Sequence, residues 1–175
     1  KQLEPNNSLY NRPRLFRLNP DVTADIIESA LKTVITRHEV LRTTLNLHDG
    51  QLQQTILSDW SFELKSVDLT QLATSETEKE SENTLSQYIA TAVKETEFDL
   101  TRDLMLRGWF LSLKNGERRL FLIMHHAISD HWTLDLLLSE LNSLCNAQLI
   151  GKTPQLPELK IQYADFTLWQ HQQFE

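Results

Sequence analysis

The segment 118–124 (RRLFLIM) constrains the fold more than any other part of the sequence. Its apolar residues follow one another almost without alternation, which is typical of a strand buried on both faces of a sheet. A second strand-like segment, 103–113, precedes it, and a helical pattern at 132–149 follows it. The connection 114–117 contains Asn-Gly, which is typical of a two-residue hairpin turn. We therefore predict a hairpin whose second strand lies in the middle of a sheet.

The rest of the chain alternates between strand and helix patterns. Further predicted strands are 12–19, 41–47, 52–57 and 62–67, with a hairpin turn at Asp49-Gly50 between the second and third of them. Further predicted helices run from the N-cap Thr23 to about His38, from the polar stretch 70–84 to about Phe98, and over 163–173. This order predicts one α/β sandwich with a mixed sheet.

Composition excludes several classes of function. Hydrophobic residues at 40% and charged residues at 23% are ordinary for a soluble globular domain. A net charge of −7 is unlike the basic surface of a nucleic-acid-binding protein, so no nucleic-acid partner is expected. No apolar run approaches the roughly 20 residues that span a bilayer, so no membrane association is expected. The single cysteine, Cys145, indicates a small core residue and a reducing, cytoplasmic location.

The stretch HHAISDH at 125–131 is the strongest candidate for a functional site. His125 and His126 end the predicted buried strand, and Asp130 follows four residues after the second histidine. Adjacent strand residues point to opposite faces, so we expect one histidine in the core and the other facing a cavity. Imidazole titrates near neutral pH and suits a general base or a group that positions a proton. Asp130 is expected to organise the turn, either through backbone N–H groups or through an ion pair with an arginine.

Three other interpretations of this stretch stay open from the residues alone. The two histidines also fit a pair of satisfied core residues. The ligand types of His125, His126, Asp130 and His131 fit a metal site, although no second Cys or His cluster lies at a recognised spacing. A hydrolase built on Ser129 would lack the GxSxG turn that presents such a serine.

Five segments resemble, in order, the motifs of nonribosomal peptide synthetase condensation domains. HHAISDHW at 125–132 resembles the HHxxxDG motif, with Trp132 where many members carry Trp. RHEVLRTTL at 37–45 resembles RHExLRTxF, with Leu45 in place of Phe. The other matching segments are 8–18 (SLYNRPRLFRL), 104–113 with 118–126 (LMLRGWFLSL and RRLFLIMHH), and 161–172 (IQYADFTLWQHQ). Each segment alone is a weak signal, whereas the ordered set is specific and covers nearly the whole chain.

The resemblance implies a chloramphenicol-acetyltransferase-like α/β sandwich, with a mixed β-sheet flanked by helices, as one lobe of a two-lobe domain. In the family, a tunnel between the lobes admits the phosphopantetheine arms of donor and acceptor peptidyl carrier domains. The acyl or peptidyl thioester is attacked there by the α-amine of the aminoacyl thioester, so the implied activity is amide (peptide) bond formation. Neither a metal nor a directly bound cofactor is implied. The implied partners are the two carrier domains, the C-terminal lobe and an adjacent adenylation domain.

The resemblance also implies a role for each motif residue. His126 matches the second motif histidine, which would position or deprotonate the amine, or stabilise the tetrahedral intermediate. His125 is implied to support the core. Asp130 is implied to be structural and to pair with Arg42, the arginine of the LRT sequence. The implied lining of the substrate channel is Ser129, His131 and Trp132.

The sequence departs from the family pattern in three ways. His131 stands where the motif has glycine, and a side chain there would crowd the pantetheine arm. The first family motif and the whole second lobe are not in the sequence. We therefore expect residues 1–175 to be the N-terminal lobe of a condensation domain and to be inactive alone.

Two alternative functions follow from the same resemblance. One is a related acyltransferase or an epimerisation domain, although Trp132, directly after the glycine position, favours condensation. The other is a non-catalytic module that docks carrier proteins, which His131 favours.

Overall fold

The computed structural model describes residues 8–71 and 78–174, with the backbone alone at 78, 131, 132 and 174. Its strands are β1 (Asn11–Arg17), β2 (Thr43–His48), β3 (Gln51–Ile56), β4 (Leu64–Asp68), β5 (Leu106–Ser112) and β6 (Arg118–His125). Its α-helices are α1 (Ala24–Arg37), α2 (Glu78–Glu95), α3 (His131–Leu149) and α4 (Tyr163–Phe174). This order agrees with the predicted one. The predicted polar connection at 70–84 lies partly outside the described residues, and α2 begins within it.

The four-stranded sheet has the order β1-β6-β5-β4, with β6 inside it. β1 and β5 both pair with β6 in antiparallel orientation, whereas β4 pairs with β5 in parallel, so the sheet is mixed as predicted. Every residue of β6 from 119 to 125 is buried. The prediction of a strand covered on both faces is therefore confirmed.

β2 and β3 form a separate two-stranded hairpin. Its turn residues, Asp49 and Gly50, have φ angles of 51° and 78°. Positive φ at both positions matches the right-handed twist of the flanking strands and favours Asp-Gly. The hairpin turn predicted from these two residues is confirmed.

The connection between β5 and β6 is longer than the predicted two-residue turn. Leu113 N donates a hydrogen bond to Glu117 O at 2.9 Å. The loop between these two bonded residues therefore has three residues, 114–116. Gly116 takes the left-handed conformation with φ of 80°, as in three-residue hairpin loops. The side chain of Asn115 accepts a hydrogen bond from Glu117 N at 3.1 Å. The prediction of a two-residue turn was wrong because this asparagine bonds the backbone two residues on, which favours the longer loop.

The helices cover the sheet and bring distant segments together. Thr23 caps α1 by accepting a hydrogen bond from Ile26 N at 3.4 Å, as predicted, and α1 packs against α3. α2 covers the face that carries Asn11, whose Nδ2 donates to Thr96 O at 2.8 Å just after the helix. In the described part of the chain, no helix combines the length and apolar character needed to cross a membrane.

Cys145 lies on the buried side of α3, in the hydrophobic core. Burial raises the pKa of its thiol. The residue is therefore a small core side chain, as predicted, and its thiol is kept protonated.

Candidate functional site

Backbone hydrogen bonds hold both histidines at the end of β6. His125 N donates to Met105 O at 3.0 Å on the β5 side, and His126 N donates to Tyr10 O at 2.9 Å on the β1 side. Because the ladder continues past the end of β6 on both sides, the pleat still determines where the two side chains point. His125 is buried and His126 is exposed, which agrees with the predicted opposite orientations.

His125 is built into the core as a neutral ring. Its imidazole lies between Tyr10 and Phe98, with ring centroids at 5.8 Å and 6.0 Å. Its Nδ1 accepts a hydrogen bond from Ala127 N at 3.1 Å, so the proton of the neutral ring is on Nε2. Burial, and then the neighbouring His126, lower the pKa of His125. This histidine therefore packs in the core and helps to shape the loop.

His126 is oriented by one strong contact within the loop. Its Nδ1 lies 2.7 Å from the carbonyl oxygen of Ser129. A carbonyl oxygen only accepts hydrogen bonds, so Nδ1 must carry a proton. In the neutral ring, Nε2 then keeps its lone pair on the exposed side chain. Such an imidazole can accept a proton or a hydrogen bond from a bound nucleophile.

Asp130 ends the loop as the N-cap of α3. Its Oδ1 accepts hydrogen bonds from Thr133 N at 2.8 Å and from Thr133 Oγ1 at 2.6 Å. Asp130 N in turn donates to Thr133 Oγ1 at 3.3 Å, which completes a capping box. Of the two ways in which Asp130 was expected to organise the turn, the structure shows the bond to a backbone N–H group.

Arg42 does not form the predicted ion pair with Asp130. Its Nη1 donates to Leu57 O at 2.7 Å, and its Nη2 lies 3.4 Å from Glu39 Oε1. Its Nε is buried and has no hydrogen-bond partner among the described residues. The guanidinium therefore ties the turn before β2 to the end of β3, and the prediction is corrected because this side chain is already committed there.

The predicted channel residues have different positions in the loop. Ser129 is 7% exposed, and its Oγ donates to His125 O at 3.1 Å. Its side chain therefore closes the loop, and a role for it in a substrate channel stays a prediction. The backbones of His131 and Trp132 form the first turn of α3, and their side chains lie outside the described residues. Their role in a channel stays a prediction.

An open groove of about 550 Å³ lies at the same end of the sheet as the histidines, where β4 and β5 begin. Trp60 and Phe62 line it from the loop before β4, and Leu104 and Leu106 line it from the start of β5. The sequence pattern does not predict this groove, because residues 58–61, between two predicted strands, carry no periodic pattern. Its two aromatic residues were the available signal.

The described side chains offer no metal centre. Among them, no group of three or more His, Cys, Asp or Glu residues is arranged to hold a metal ion. Of the potential ligand atoms, Nδ1 of His125 and Oδ1 of Asp130 already accept hydrogen bonds within the loop.

The fold and the histidine loop together define a class of protein. An inner strand of the mixed sheet ends in two histidines, and a helix capped by Asp130 follows them. This arrangement is an α/β lobe of the chloramphenicol-acetyltransferase-like type. The family model for the condensation domain matches residues 1–175. The chain therefore belongs to the condensation-domain family of nonribosomal peptide synthetases.

Individual comparisons agree with the family. A component of the linear gramicidin synthase of Brevibacillus parabrevis is 36% identical over 171 residues, which cover 97% of this chain and 2% of that protein. The crystal structure of the starter condensation domain of rhizomide synthetase RzmA has a TM-score of 0.81 at 20% identity, covering 98% of this chain and 40% of that one. The X-domain complex with OxyB from teicoplanin biosynthesis has a TM-score of 0.73 at 26% identity, covering 93% and 33%. The chain thus spans less than half of these solved chains and a small part of the synthetase.

Proposed function

We propose that this chain supplies the reacting histidine of a condensation domain that forms amide bonds. The substrates would be a carrier-bound acyl or peptidyl thioester and the α-amine of a carrier-bound aminoacyl thioester. The observation that supports this most is the exposed imidazole of His126, whose Nδ1–H is fixed on the Ser129 carbonyl at 2.7 Å. That contact leaves Nε2 as the basic nitrogen of the neutral ring.

His126 acts on the amine. Its Nε2 accepts a hydrogen bond from the amine, directs the nitrogen lone pair at the thioester carbonyl carbon, and takes a proton as the C–N bond forms. The C–S bond breaks, and the imidazolium returns the proton to the departing sulfur, so His126 ends neutral. During the step the Ser129 carbonyl stabilises the imidazolium, because a hydrogen bond from a charged donor is stronger than one from a neutral donor.

Three contacts make the loop rigid enough for this role. The Asp130–Thr133 capping box fixes one end of the loop, and the backbone bond from His126 to Tyr10 fixes the other. Between them, Ser129 Oγ holds the His125 carbonyl at 3.1 Å. A base held in one geometry loses little entropy when the substrate binds, which is a large part of catalysis by positioning.

The proposal extends to the larger protein. Residues 1–175 would be the N-terminal lobe, inactive without the C-terminal lobe of the same domain. The other partners would be donor and acceptor carrier domains, with phosphopantetheine arms that bring the substrates, and an adjacent adenylation domain. The 2% share of the gramicidin synthase component that this chain matches supports such a setting. A cytoplasmic location fits the buried, unpaired Cys145.

A binding module without turnover is the second candidate. His131 stands where the family motif has glycine, and the X-domain, which has a similar fold, was solved in complex with OxyB. In this case the lobe would dock a partner protein and His126 would have no chemical role.

Turnover by the complete domain separates the two candidates. We expect His126→Ala to lower amide formation from carrier-loaded substrates by at least about 10²-fold, the low end for losing a general acid–base group. The matched control is His48→Ala, because the His48 side chain is 69% exposed in the β2–β3 hairpin. A yield that His126→Ala leaves unchanged would favour the binding module.

A further inference from the structure

A buried carboxylate on α3 holds this helix to the end of α1. Glu140 is 5% exposed and is the only carboxylate among the buried side chains that the structure describes. Its Oε1 accepts a hydrogen bond from Arg37 Nε at 3.0 Å, and its Oε2 lies 2.8 Å from His38 Nε2. Both oxygens are therefore engaged by consecutive residues at the C-terminal end of α1.

The same arginine ties α3 to the segment that enters α4. The Arg37 guanidinium also donates to the Pro157 carbonyl, and the Arg37 carbonyl accepts from Gln162 Nε2 at 3.0 Å. Gln162 Oε1 accepts from Glu39 N at 3.2 Å. Residues 37–39 thus join three parts of the chain through directed hydrogen bonds, with Glu140 as the anion at the centre.

Apart from Glu140, the buried side chains of α3 that the structure describes are all apolar. The buried face of the helix is otherwise formed by Leu134, Leu137, Leu141, Leu144 and Cys145. Leucines repeating every three or four residues can pack in more than one register, because apolar contacts have no direction. A buried polar group with fixed partners selects one register, which is its best-attested role in helix packing. Glu140 supplies that selection here.

The register of α3 determines where the Ser129 carbonyl lies. Ser129 and the N-cap Asp130 immediately precede the helix, and the capping box makes Asp130 part of its first turn. A shift of α3 along its axis therefore moves the carbonyl that holds Nδ1–H of His126. The carboxylate itself lies about three helical turns from that carbonyl and cannot contact the substrate from there.

We propose that Glu140 is a positioning residue that sets the His126 imidazole through the register of α3. This inference rests on the proposed function of His126. In this proposal, Arg37 and His38 of the RHEVLRTTL segment hold Glu140 and thereby help to fix the position of the His126 ring. Removing the charge on Glu140 loosens the Ser129–His126 contact without removing any group that touches the substrate.

The test compares Glu140→Gln with two other variants of the complete condensation domain. A glutamine keeps one acceptor oxygen and replaces the other with an NH2 donor, so it cannot reproduce the two separate acceptor atoms that face Arg37 and His38. Leu144→Val, one turn further along α3, is the control for a general loss of stability. His126→Ala reports on the proposed function itself.

We expect Glu140→Gln to lower kcat by about ten- to hundredfold with little change in KM, because displacements of about 1 Å at a reacting group have effects of this size. Nitrogen-15 spectra of labelled histidines should show His126 changing from the Nδ1–H form to a mixture of both neutral forms. Leu144→Val should leave both kcat and the His126 spectrum unchanged.

Each outcome decides a different claim. If Glu140→Gln stays folded with unchanged kcat and an unchanged His126 spectrum, the positioning role is wrong. If His126→Ala keeps full turnover, the proposed function is wrong. The His126 spectrum of Glu140→Gln then still tests whether Glu140 positions the His126 ring. If Glu140→Gln does not fold, the same measurements are made on Arg37→Lys. A lysine ammonium lacks the planar guanidinium whose separate N–H groups reach both Glu140 and the Pro157 carbonyl. An unchanged His126 spectrum in that variant overturns the inference.

Discussion

Substitution of Asp130 by alanine distinguishes two accounts of the histidine loop. In the structure this carboxylate accepts the N–H and hydroxyl hydrogen bonds of Thr133 as the N-cap of α3. Loss of an N-cap costs about 0.5–2 kcal/mol of stability, typically about 1 kcal/mol. The ion pair with Arg42 that the family motifs imply would cost about 3–5 kcal/mol when one partner is removed from a buried position.

Urea unfolding of the complete domain measures the difference directly. The m-value of a domain this large exceeds the roughly 1–3 kcal/mol/M of small proteins, so a loss of about 1 kcal/mol lowers the midpoint by at most about 0.3 M. Asp130→Asn is the matched control, because asparagine caps helices about as well as aspartate and should unfold within a few tenths of a kcal/mol of the wild type.

The double variant with Arg42→Ala completes the test. Because Arg42 bonds the Leu57 carbonyl and Glu39, its loss should add to that of Asp130, with an interaction energy below about 0.5 kcal/mol. A loss above about 3 kcal/mol for Asp130→Ala, together with an interaction energy above about 1 kcal/mol, would refute the capping account and restore the ion pair.

Two further predictions concern titratable groups in the core. Because burial lowers the pKa of His125 in the folded state, the unfolded chain binds a proton at a higher pH than the folded chain does. The contribution of His125 to the free energy of unfolding is therefore complete above about pH 6.5. It declines as the pH falls toward the pKa of the folded state, and the free energy changes by at most about 1.4 kcal/mol per pH unit. Urea midpoints measured from about pH 7 down to about pH 5 should fall less steeply in His125→Gln than in the wild type, and an identical slope would contradict the assignment. Cys145 is buried with a raised pKa, so a thiol reagent should modify it only as fast as the protein unfolds, and rapid modification of the native protein would show that the site is open.

The sequence predicted the strand, the loop and the opposite orientations of the two histidines. These depend on local rules: an apolar run without alternation indicates a central strand, and the pleat sends His125 and His126 to opposite faces. The N-cap at Thr23 and the Asp49-Gly50 turn were predicted for the same reason. In each case the residues that determine the geometry lie within a few positions of one another.

The contacts between distant segments were not predictable in this way. Arg42 was assigned to Asp130, but its partners are the Leu57 carbonyl and the nearby Glu39. Which carbonyl lies within its reach depends on how the β2–β3 hairpin folds back. Glu140 gave a weaker local signal, because the apolar pattern at 132–149 contains two acidic residues, Asp135 and Glu140, and either could have faced solvent. Only the packing of α1 on α3 shows that both of its oxygens are buried and engaged.

The proposed role of His126 depends on the tautomer of its neutral ring, in which Nδ1 carries the proton and Nε2 keeps its lone pair. Nitrogen-15 spectra of the complete domain, with His126 assigned by comparison with His126→Ala, measure this directly. For the neutral form of the ring, we predict the proton on Nδ1 and a bare Nε2. A ring that carries its proton on Nε2, with Nδ1 unprotonated, would contradict both the Ser129 contact and the role of His126 as the base.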